Sequence, residues 1–582
     1  MPDPEAPRYG SDVMVDLLRG LEIPYVTLNP GASFRGLHDS LVNRPGAPEM
    51  ILCPHEKLAV QIAHGYAKAS GRPMAAILHD TVGLLHGSLG IFSAYLDRVP
   101  VLVFGGAGPM DTARRRPWID WIHTSNLQGN AVRDFTKWDD QPVSLAAMPE
   151  AFARARRVAE TEPAGPVYLA LDADIQEQPF DGPAPSIDWS RVGPASRMGA
   201  DPAALEAAAV ALAGAARPLI VASYAGRDPA AFTAIPELAE IVGAGIVDME
   251  DRLNAPNGHR LVVTGSDVIG EADLLLLLDV KDASRLTLDV DRATRAVRSR
   301  LAPGCRVVDI GFNELHTSAW IHHQGPLPAT DLAITADTSI VLPQLVERAR
   351  ALTAADSAAR AAEREARRTE VAAVHDRLRA EWSAEADRRH DERPVAPSRL
   401  AAEVWSVIAE HDWVLTAGTA DGWAIRLWDF DRPYRHAGKS LGTATQIGLS
   451  LGVALAHRGT GRLVVDLQPD GDLLFDAAAL WIASANRIPL LVVMYNNRAY
   501  YNDWDHQIRM ARHRGTDLGR AHVGVAIEEP PPDFAGLARS FGWHAEGPIE
   551  DPDAIAAAVR EAARIVLEEG RPALVDVVCA HR

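Results

Sequence analysis

Hydrophobic residues in this chain gather in short unbroken runs separated by stretches of helix length, the pattern of strands buried on both faces of a parallel sheet. The clearest pair is Leu463-Val464-Val465-Asp466-Leu467 and Leu490-Leu491-Val492-Val493-Met494-Tyr495, with a helix-like segment over residues 475–487 between them. Two such runs joined by a helix predict a right-handed crossover unit. The first run leads into Pro469-Asp470-Gly471-Asp472 and the second into Asn496-Asn497-Arg498-Ala499-Tyr500. Asp470 and Asn497 are therefore expected at the carboxyl ends of strands, where open α/β sheets bind their ligands.

The alternation repeats along the chain. Over residues 11–174, Ile77-Leu78 leads into a Gly-containing turn region, Val101-Leu102-Val103-Phe104 leads into Gly105-Gly106, and the run from Gly165 to Leu171 reads as a closing buried strand. A Pro-rich passage over residues 178–194 reads as a linker. A second unit has apolar runs at Leu219-Ile220-Val221, Leu274 to Leu278 and Val307-Val308. Residues 351–393 shift to Ala, Arg and Glu, predicting solvent-facing helix with opposite charges at helical spacing. The expected fold is α/β, with three consecutive doubly wound parallel-sheet domains over residues 1–180, 195–346 and 394–582 and a helical linker at 351–393.

Length agrees with this division, since 582 residues exceed what one core holds. Hydrophobic content of 47% and charged content of 23% are those of an ordinary globular protein. No long apolar segment occurs, and Met1-Pro2-Asp3-Pro4-Glu5 lacks the basic-then-apolar order of a secretory signal, so no membrane association is expected and the cytoplasm is the default location. Cys53, Cys305 and Cys579 lack metal-ligand spacing and read as buried small hydrophobes. A net charge of −19 argues against nucleic acid as partner, so an anionic substrate must be met by local residues.

The strand-end residues suggest a chemistry. A carboxylate at Asp470, a carboxamide oxygen at Asn497 and a nearby backbone carbonyl are hard oxygen donors that suit Mg²⁺ also holding phosphate oxygens. In the first region, the stretch from His55 to Gly71 opens on Glu56 and continues as a helix, with Ala59, Ala63 and Ala67 at four-residue spacing on a face smooth enough for close backbone approach. Glu56 sits at the positive end of that helix.

Together these segments resemble the thiamine-diphosphate (ThDP) enzyme superfamily, of the acetolactate synthase and benzoylformate decarboxylase type. The 463–501 stretch resembles the family's diphosphate-binding motif, Gly-Asp-Gly followed by a βαβ passage and Asn-Asn, with Pro469 where the family has its first Gly. The resemblance implies Mg²⁺ ligands at Asp470, Asn497 and the Ala499 carbonyl, with Gly471, Asp472 and Tyr500 beside the cofactor. The 55–71 stretch resembles the His-Glu helix, and Glu56 takes the place of the acid that touches the aminopyrimidine. An acid bonded to N1′ favours the imino tautomer whose nitrogen removes the thiazolium C2 proton. The family orders its domains as pyrimidine-binding, central and diphosphate-binding. It holds the two ends of the cofactor on different subunits, which implies a homodimer or homotetramer with active sites at the subunit interface.

The resemblance also extends to the substrate side. Asn29-Pro30-Gly31 resembles the family's substrate-facing Pro-Gly turn, with Ala32 where benzoylformate decarboxylase has Ser and Ser33 next. His79 occupies the place of an active-site His in that enzyme, and His86 replaces an Asn common in acetolactate synthases. His123 and Gln128 lie where the family brings polar groups toward the thiazolium. Gly418-Thr419 resembles a turn that meets the diphosphate, and Leu441 and Thr443 are candidates for the residue that bends the cofactor. Tyr500, Tyr501, Asp503, His506 and Gln507 resemble a capping segment. Arg252-Leu253-Asn254-Ala255-Pro256 lies in a central-domain loop without a glycine-rich phosphate turn, so FAD or ADP is not expected.

The implied activity is cleavage or formation of a carbon-carbon bond next to a carbonyl by a ThDP- and Mg²⁺-dependent lyase or carboligase, most simply decarboxylation of a 2-oxo acid. An alternative is a 2-hydroxyacyl-CoA lyase acting on an acyl substrate, with Arg509, Arg512 and Arg514 available to CoA phosphates. A non-catalytic ThDP-binding protein is the rival of another class; Glu56, Asp470 and Asn497 occurring together argue against it.

Overall fold

The computed structural model describes residues 7–315, 329–418, 420–438 and 441–581. Its first sheet is six-stranded and parallel in the order β2-β1-β3-β4-β6-β5. The strands are β1 (Tyr25–Leu28), β2 (Glu49–Leu52), β3 (Met74–Leu78), β4 (Val101–Ala107), β5 (Asp139–Asp140) and β6 (Val167–Asp172). Because β1 connects outward to β2 and β3 then returns to the other side of β1, a topological switch point lies between β1 and β3. The register pairs Leu28 with Ile77 and Leu78 with Gly105, so Asn29 to Gly31 and His79 emerge side by side at that point.

The central sheet is parallel in the order β13-β12-β9-β7-β8. It comprises β7 (Pro218–Ala222), β8 (Gly245–Asp248), β9 (Leu274–Leu278), β12 (Arg306–Gly311) and β13 (Leu332–Thr335), with a separate antiparallel ribbon, β10 (Leu288–Val290) and β11 (Val297–Ser299). The last sheet is parallel in the order β14-β15-β16-β18-β17, from β14 (Trp413–Thr416), β15 (Leu463–Pro469), β16 (Leu491–Asn496), β17 (His544–Ile549) and β18 (Ala573–Val578). Strands β3, β4, β9 and β16 are buried at every position, as apolar runs covered by helices on both sides require. Among the described residues no helix is long and apolar enough to cross a membrane.

Three local readings change. The segment after Ile77-Leu78 is not a turn region but the helix Thr81–Leu96. Its glycines serve close packing: a Cβ at Gly83 would lie 2.8 Å from His79 Cβ, one at Gly87 2.7 Å from Leu78 Cδ1, and one at Gly90 2.8 Å from Val60 Cβ. The 475–487 segment holds one short helix, Ala479–Ala485, and a separate helix, Asp470–Phe475, precedes it. The break falls at Asp476, which leaves helical geometry at φ −134° and pairs with Lys57 of the first domain. Cys53 and Cys579 are buried free thiols, whereas Cys305, in the turn before β12, is only half-buried.

The first and last domains share one core. The helix Glu56–Ser70 crosses the helix Gln446–Ala456 at backbone contact, and Ile62, Ile447 and Leu451 are fully buried around the crossing. The closest approach is at glycines, not at the alanine row: a Cβ at Gly65 would lie 2.0 Å from the Leu449 carbonyl oxygen, and one at Gly452 2.1 Å from that of Ile62. The central domain has its own core. It meets the first domain at Asp97, which accepts from Lys68 Nζ at 2.6 Å, Arg252 Nη1 at 3.0 Å and Tyr224 Oη at 3.1 Å and lies 2.7 Å from His64 Nε2. The helix Thr338–Ala354 closes the central domain. The helix Ala358–Arg388 then runs largely exposed and is anchored to that domain through the buried His375, whose Nδ1 lies 2.7 Å from the Val262 carbonyl oxygen.

Candidate active site

The carboxyl ends of β15 and β16 open onto a cleft of about 600 Å³ lined by Leu441, Thr443, Asp470, Asn497, Ala499 and Tyr500, with Gly471 and Asp472 also on its wall. Asp470 begins its helix directly at the strand end. Pro469 before it has φ −68° and ψ 142°, a conformation that the proline ring favours and that makes no demand for glycine. At the other strand end, Arg498 turns left-handed with φ 54°. That turn brings the Ala499 amide 3.2 Å from Asp470 Oδ2 and 3.1 Å from Asn497 Oδ1, so two side-chain oxygens from different strands gather on one N–H. Gly471 is needed by its neighbour: a Cβ there would lie 2.6 Å from Tyr500 Cε1.

Asp472 organises the facing wall. Its carboxylate accepts from the Ala444 amide, and from the Gln446 amide at 3.3 Å. The turn so held has three successive left-handed residues, Gly442 at φ 78°, Thr443 at 45° and Ala444 at 60°. Two non-glycine residues in that region cost about 1–3 kcal/mol each, and such strain concentrates at functional sites. Gln446 ties the sheet to this turn: its Oε1 accepts from the Gly418 amide at 2.7 Å and its Nε2 donates to the Leu467 carbonyl at 2.7 Å. The Gly418 amide is thus engaged within the protein. Thr419 lies outside the described residues.

These donors fit a cation shared with a diphosphate. Asp470 is 2% exposed, and burial pushes its carboxyl up to about 6 against the opposing pull of the Gly471, Ala499 and Arg498 amides. A buried carboxyl of this kind ionises readily only beside positive charge. Among the described residues no group of three His, Cys, Asp or Glu side chains could hold a metal by itself. One carboxylate, one carboxamide and one carbonyl instead suit an ion that takes further oxygens from its ligand.

The first domain carries the acid. Glu56 opens its helix with His55 as cap, and Gly71, left-handed at φ 69°, ends it. Glu56 is buried, and its Oε2 lies 3.2 Å from His86 Nδ1. His86 stacks on His55 with ring centroids 5.0 Å apart. At the switch point, Gly31 permits the His79 ring to approach, since a Cβ there would lie 2.7 Å from His79 Cγ. His79 stacks on His123 at 5.0 Å, and its Nδ1 lies 2.7 Å from Ser33 Oγ. Burial pulls His79 below the ordinary imidazole range, helped by His123 and Arg116 and opposed by Glu56, which leaves it neutral at pH 7. Asn29 donates from Nδ2 to the Cys53 carbonyl at 2.9 Å, and Pro30 continues the turn into Gly31.

Gln128 is placed differently from a substrate-facing group. Its Nε2 donates to the Gly106 carbonyl at 2.9 Å and to Tyr168 Oη at 3.0 Å, while its Oε1 accepts from Thr81 Oγ1 at 3.1 Å. The amide is fully engaged and 1% exposed. Two residues emerge that the sequence reading passed over, Asp80 beside His79 and Gln446 behind the left-handed turn, while Ser33, noted there only as following Ala32, lies against His79. An Asp before a helix reads as a cap, and a Gln at a helix start carries no signal, so only their neighbours reveal them.

An acid-bearing domain and an oxygen-rich domain of this build define a cofactor enzyme of the doubly wound type. Residues 8–129 match the thiamine pyrophosphate enzyme N-terminal TPP binding domain, and residues 416–577 match the C-terminal TPP binding domain. The chain belongs to the thiamine-diphosphate-dependent enzyme superfamily. It is 23% identical to acetolactate synthase 1, chloroplastic, of Oryza sativa subsp. japonica over 604 residues, covering 100% of this chain and 86% of that one. It is 26% identical to the "probable 2-ketoarginine decarboxylase" of Pseudomonas aeruginosa over 559 residues, covering 93% and 89%. In fold it matches a benzoylformate decarboxylase from Polynucleobacter necessarius with TM-score 0.76 at 18% identity, covering 99% of each chain.

Proposed function

We propose that this protein is a ThDP- and Mg²⁺-dependent enzyme that decarboxylates a 2-oxo acid and releases an aldehyde or passes the fragment to a second carbonyl, with each active site completed by a second copy of the chain. The observation that carries the reading is the pairing of Glu56 at the start of its helix with the convergence of Asp470 and Asn497 on the Ala499 amide. The names of the similar proteins, acetolactate synthase, 2-ketoarginine decarboxylase and benzoylformate decarboxylase, support the substrate class. A partner copy is supported by the cleft itself, whose lining comes from residues 441–509 and includes neither Glu56, His79 nor His86. Large apolar side chains stand exposed on both halves, Trp118 at 72% and Trp121 at 78% near His123 and Phe475 at 54% beside the cleft, as expected of surfaces that another subunit covers.

In this reading Asp470, Asn497 and the Ala499 carbonyl would hold Mg²⁺ beside the diphosphate, while Tyr500 packs across Gly471 and walls the cleft. Glu56 would exchange a proton with the ring nitrogen of the aminopyrimidine, and His86 steadies that carboxyl through Oε2. The cofactor, when bound, supplies the electron sink for bond cleavage beside a carbonyl. His79 stands ready to move a proton at Nε2. Arg509 reaches the cleft and pairs through Nε with Asp505 at 2.7 Å. The test is turnover of a panel of 2-oxo acids by protein reconstituted with ThDP and Mg²⁺, with products identified by mass spectrometry. Glu56→Gln is expected to lose at least about 10²-fold in turnover, the weight of a general acid-base group, while retaining ThDP and metal. Undiminished turnover in that variant would remove the assigned proton relay.

A further inference from the structure

We infer that Asp80 is a positioning residue that decides which ring nitrogen of His79 carries the proton, so that His79 presents an acid at Nε2 when Asp80 is neutral and a base there when Asp80 is ionised. The inference deepens the proposed function and rests on its placing His79 beside the reacting carbon.

Asp80 follows His79 at the end of β3 and stands at the N-cap of the helix Thr81–Leu96, where its carboxyl faces the Val82 amide without a cap hydrogen bond of ordinary geometry. It is 1% exposed, and neither carboxylate oxygen has a side-chain partner of ordinary hydrogen-bond geometry among the described residues. A buried acid whose cap is this poorly formed is costly unless it serves something else. Asp80 Oδ1 lies 3.6 Å from His79 Nδ1, the same nitrogen that Ser33 Oγ approaches to 2.7 Å. One ring nitrogen is thus contested by a hydroxyl that can donate or accept and by a carboxyl that can be charged or neutral. Gly31 and the stacked His123 ring both crowd the His79 ring.

The groups facing Asp80 are His79 on its own turn, His123, Asp120 and Arg116, Tyr168 on β6, and the Val82 amide, while Glu56 faces His79. Burial pushes its carboxyl up to about 7; His123, the Val82 amide and Arg116 pull the other way, and Asp120 adds to the rise. With Asp80 neutral, Ser33 donates to Nδ1 and the ring proton sits on Nε2. When Nε2 gives that proton to the substrate carbon, the Ser33 hydroxyl turns its hydrogen away from Nδ1, the Asp80 proton takes that place, the imidazole stays neutral, and Asp80 becomes a carboxylate that water reprotonates. One proton enters and one leaves, and no other reactant is needed.

The test is the rate at which diethyl pyrocarbonate acylates His79 in the full-length, cofactor-free protein, followed by peptide mass mapping between about pH 5.5 and 8.5. In the parent protein the rate is expected to rise in a step centred near pH 7, as ionised Asp80 draws the proton to Nδ1 and frees Nε2. In Asp80→Asn the step should vanish, leaving His79 about tenfold slower at pH 8, the weight of one pK unit. Ser33→Ala, which removes the competing donor, should raise the rate at pH 6. Identical profiles in the parent, Asp80→Asn and Ser33→Ala proteins would overturn the inference. If the profiles behave as expected but no 2-oxo acid is turned over by the reconstituted enzyme, the proposed function fails and the coupling of Asp80 to His79 stands.

Discussion

Lys57 Nζ lies 2.9 Å from Asp476 Oδ2 across the junction of the first and last domains, with 11% and 5% of the two side chains exposed. The pair joins the helix that carries Glu56 to the break after the helix that carries Asp470. Burial raises the Asp476 carboxyl and Lys57 opposes it, so each charge depends on the other. Lys57→Met is expected to cost about 3–5 kcal/mol by leaving Asp476 buried without its partner, and adding Asp476→Leu should restore most of that loss. Thermal unfolding of the two variants measures it; additive losses would mean the pair is not coupled.

Gly471 and Tyr500 make a sharper prediction for the cleft. Gly471→Ala places a methyl group where the Tyr500 ring now packs, so the ring must leave the wall it forms. Stability should fall by about 1–3 kcal/mol, with weaker Mg²⁺ and diphosphate binding in calorimetry. Tyr500→Phe keeps the ring and should bind nearly as the parent does.

Asp466 gives a pH dependence. It is fully buried in β15, where burial pushes its carboxyl up to about 7 against the Gln446 hydrogen bond. The folded protein therefore keeps a proton between pH 4 and 7 that the unfolded chain releases, and stability falls as pH rises through that window, by up to about 4 kcal/mol. Asp466→Asn, neutral throughout, removes this slope. Its melting temperature should gain on the parent's from pH 5 to pH 8; a constant difference would show that Asp466 is ionised in the folded state.

At the seam with the central domain, Asp97 stays ionised. Burial alone would raise its carboxyl, but Arg252, Lys68 and His64 together hold it well below the usual carboxylate range. Asp97→Asn would take from Lys68 and Arg252, both buried, the carboxylate that they share. A loss of about 3–5 kcal/mol is expected, seen as earlier protease cleavage near the 178–194 linker. Unchanged cleavage would mean the central domain is held by its apolar contacts instead.

The alternation of apolar runs and helix-length stretches was enough, by itself, to give three parallel α/β sheets and to put Asn29, His79, Asp470 and Asn497 at the ends of strands. That much is local, because strand and helix periods are written in neighbouring residues. The tertiary structure decided the rest. Gly83, Gly87 and Gly90 look like a turn in sequence, yet they are the flat side of a helix pressed against His79, Leu78 and Val60. Asp80 reads as a helix cap until its burial beside His79 is known, and Gln128 reads as a polar loop residue until Gly106, Tyr168 and Thr81 are found around its amide. Burial and charge depend on residues far away in the chain, and no local pattern encodes which distant groups will surround a given side chain.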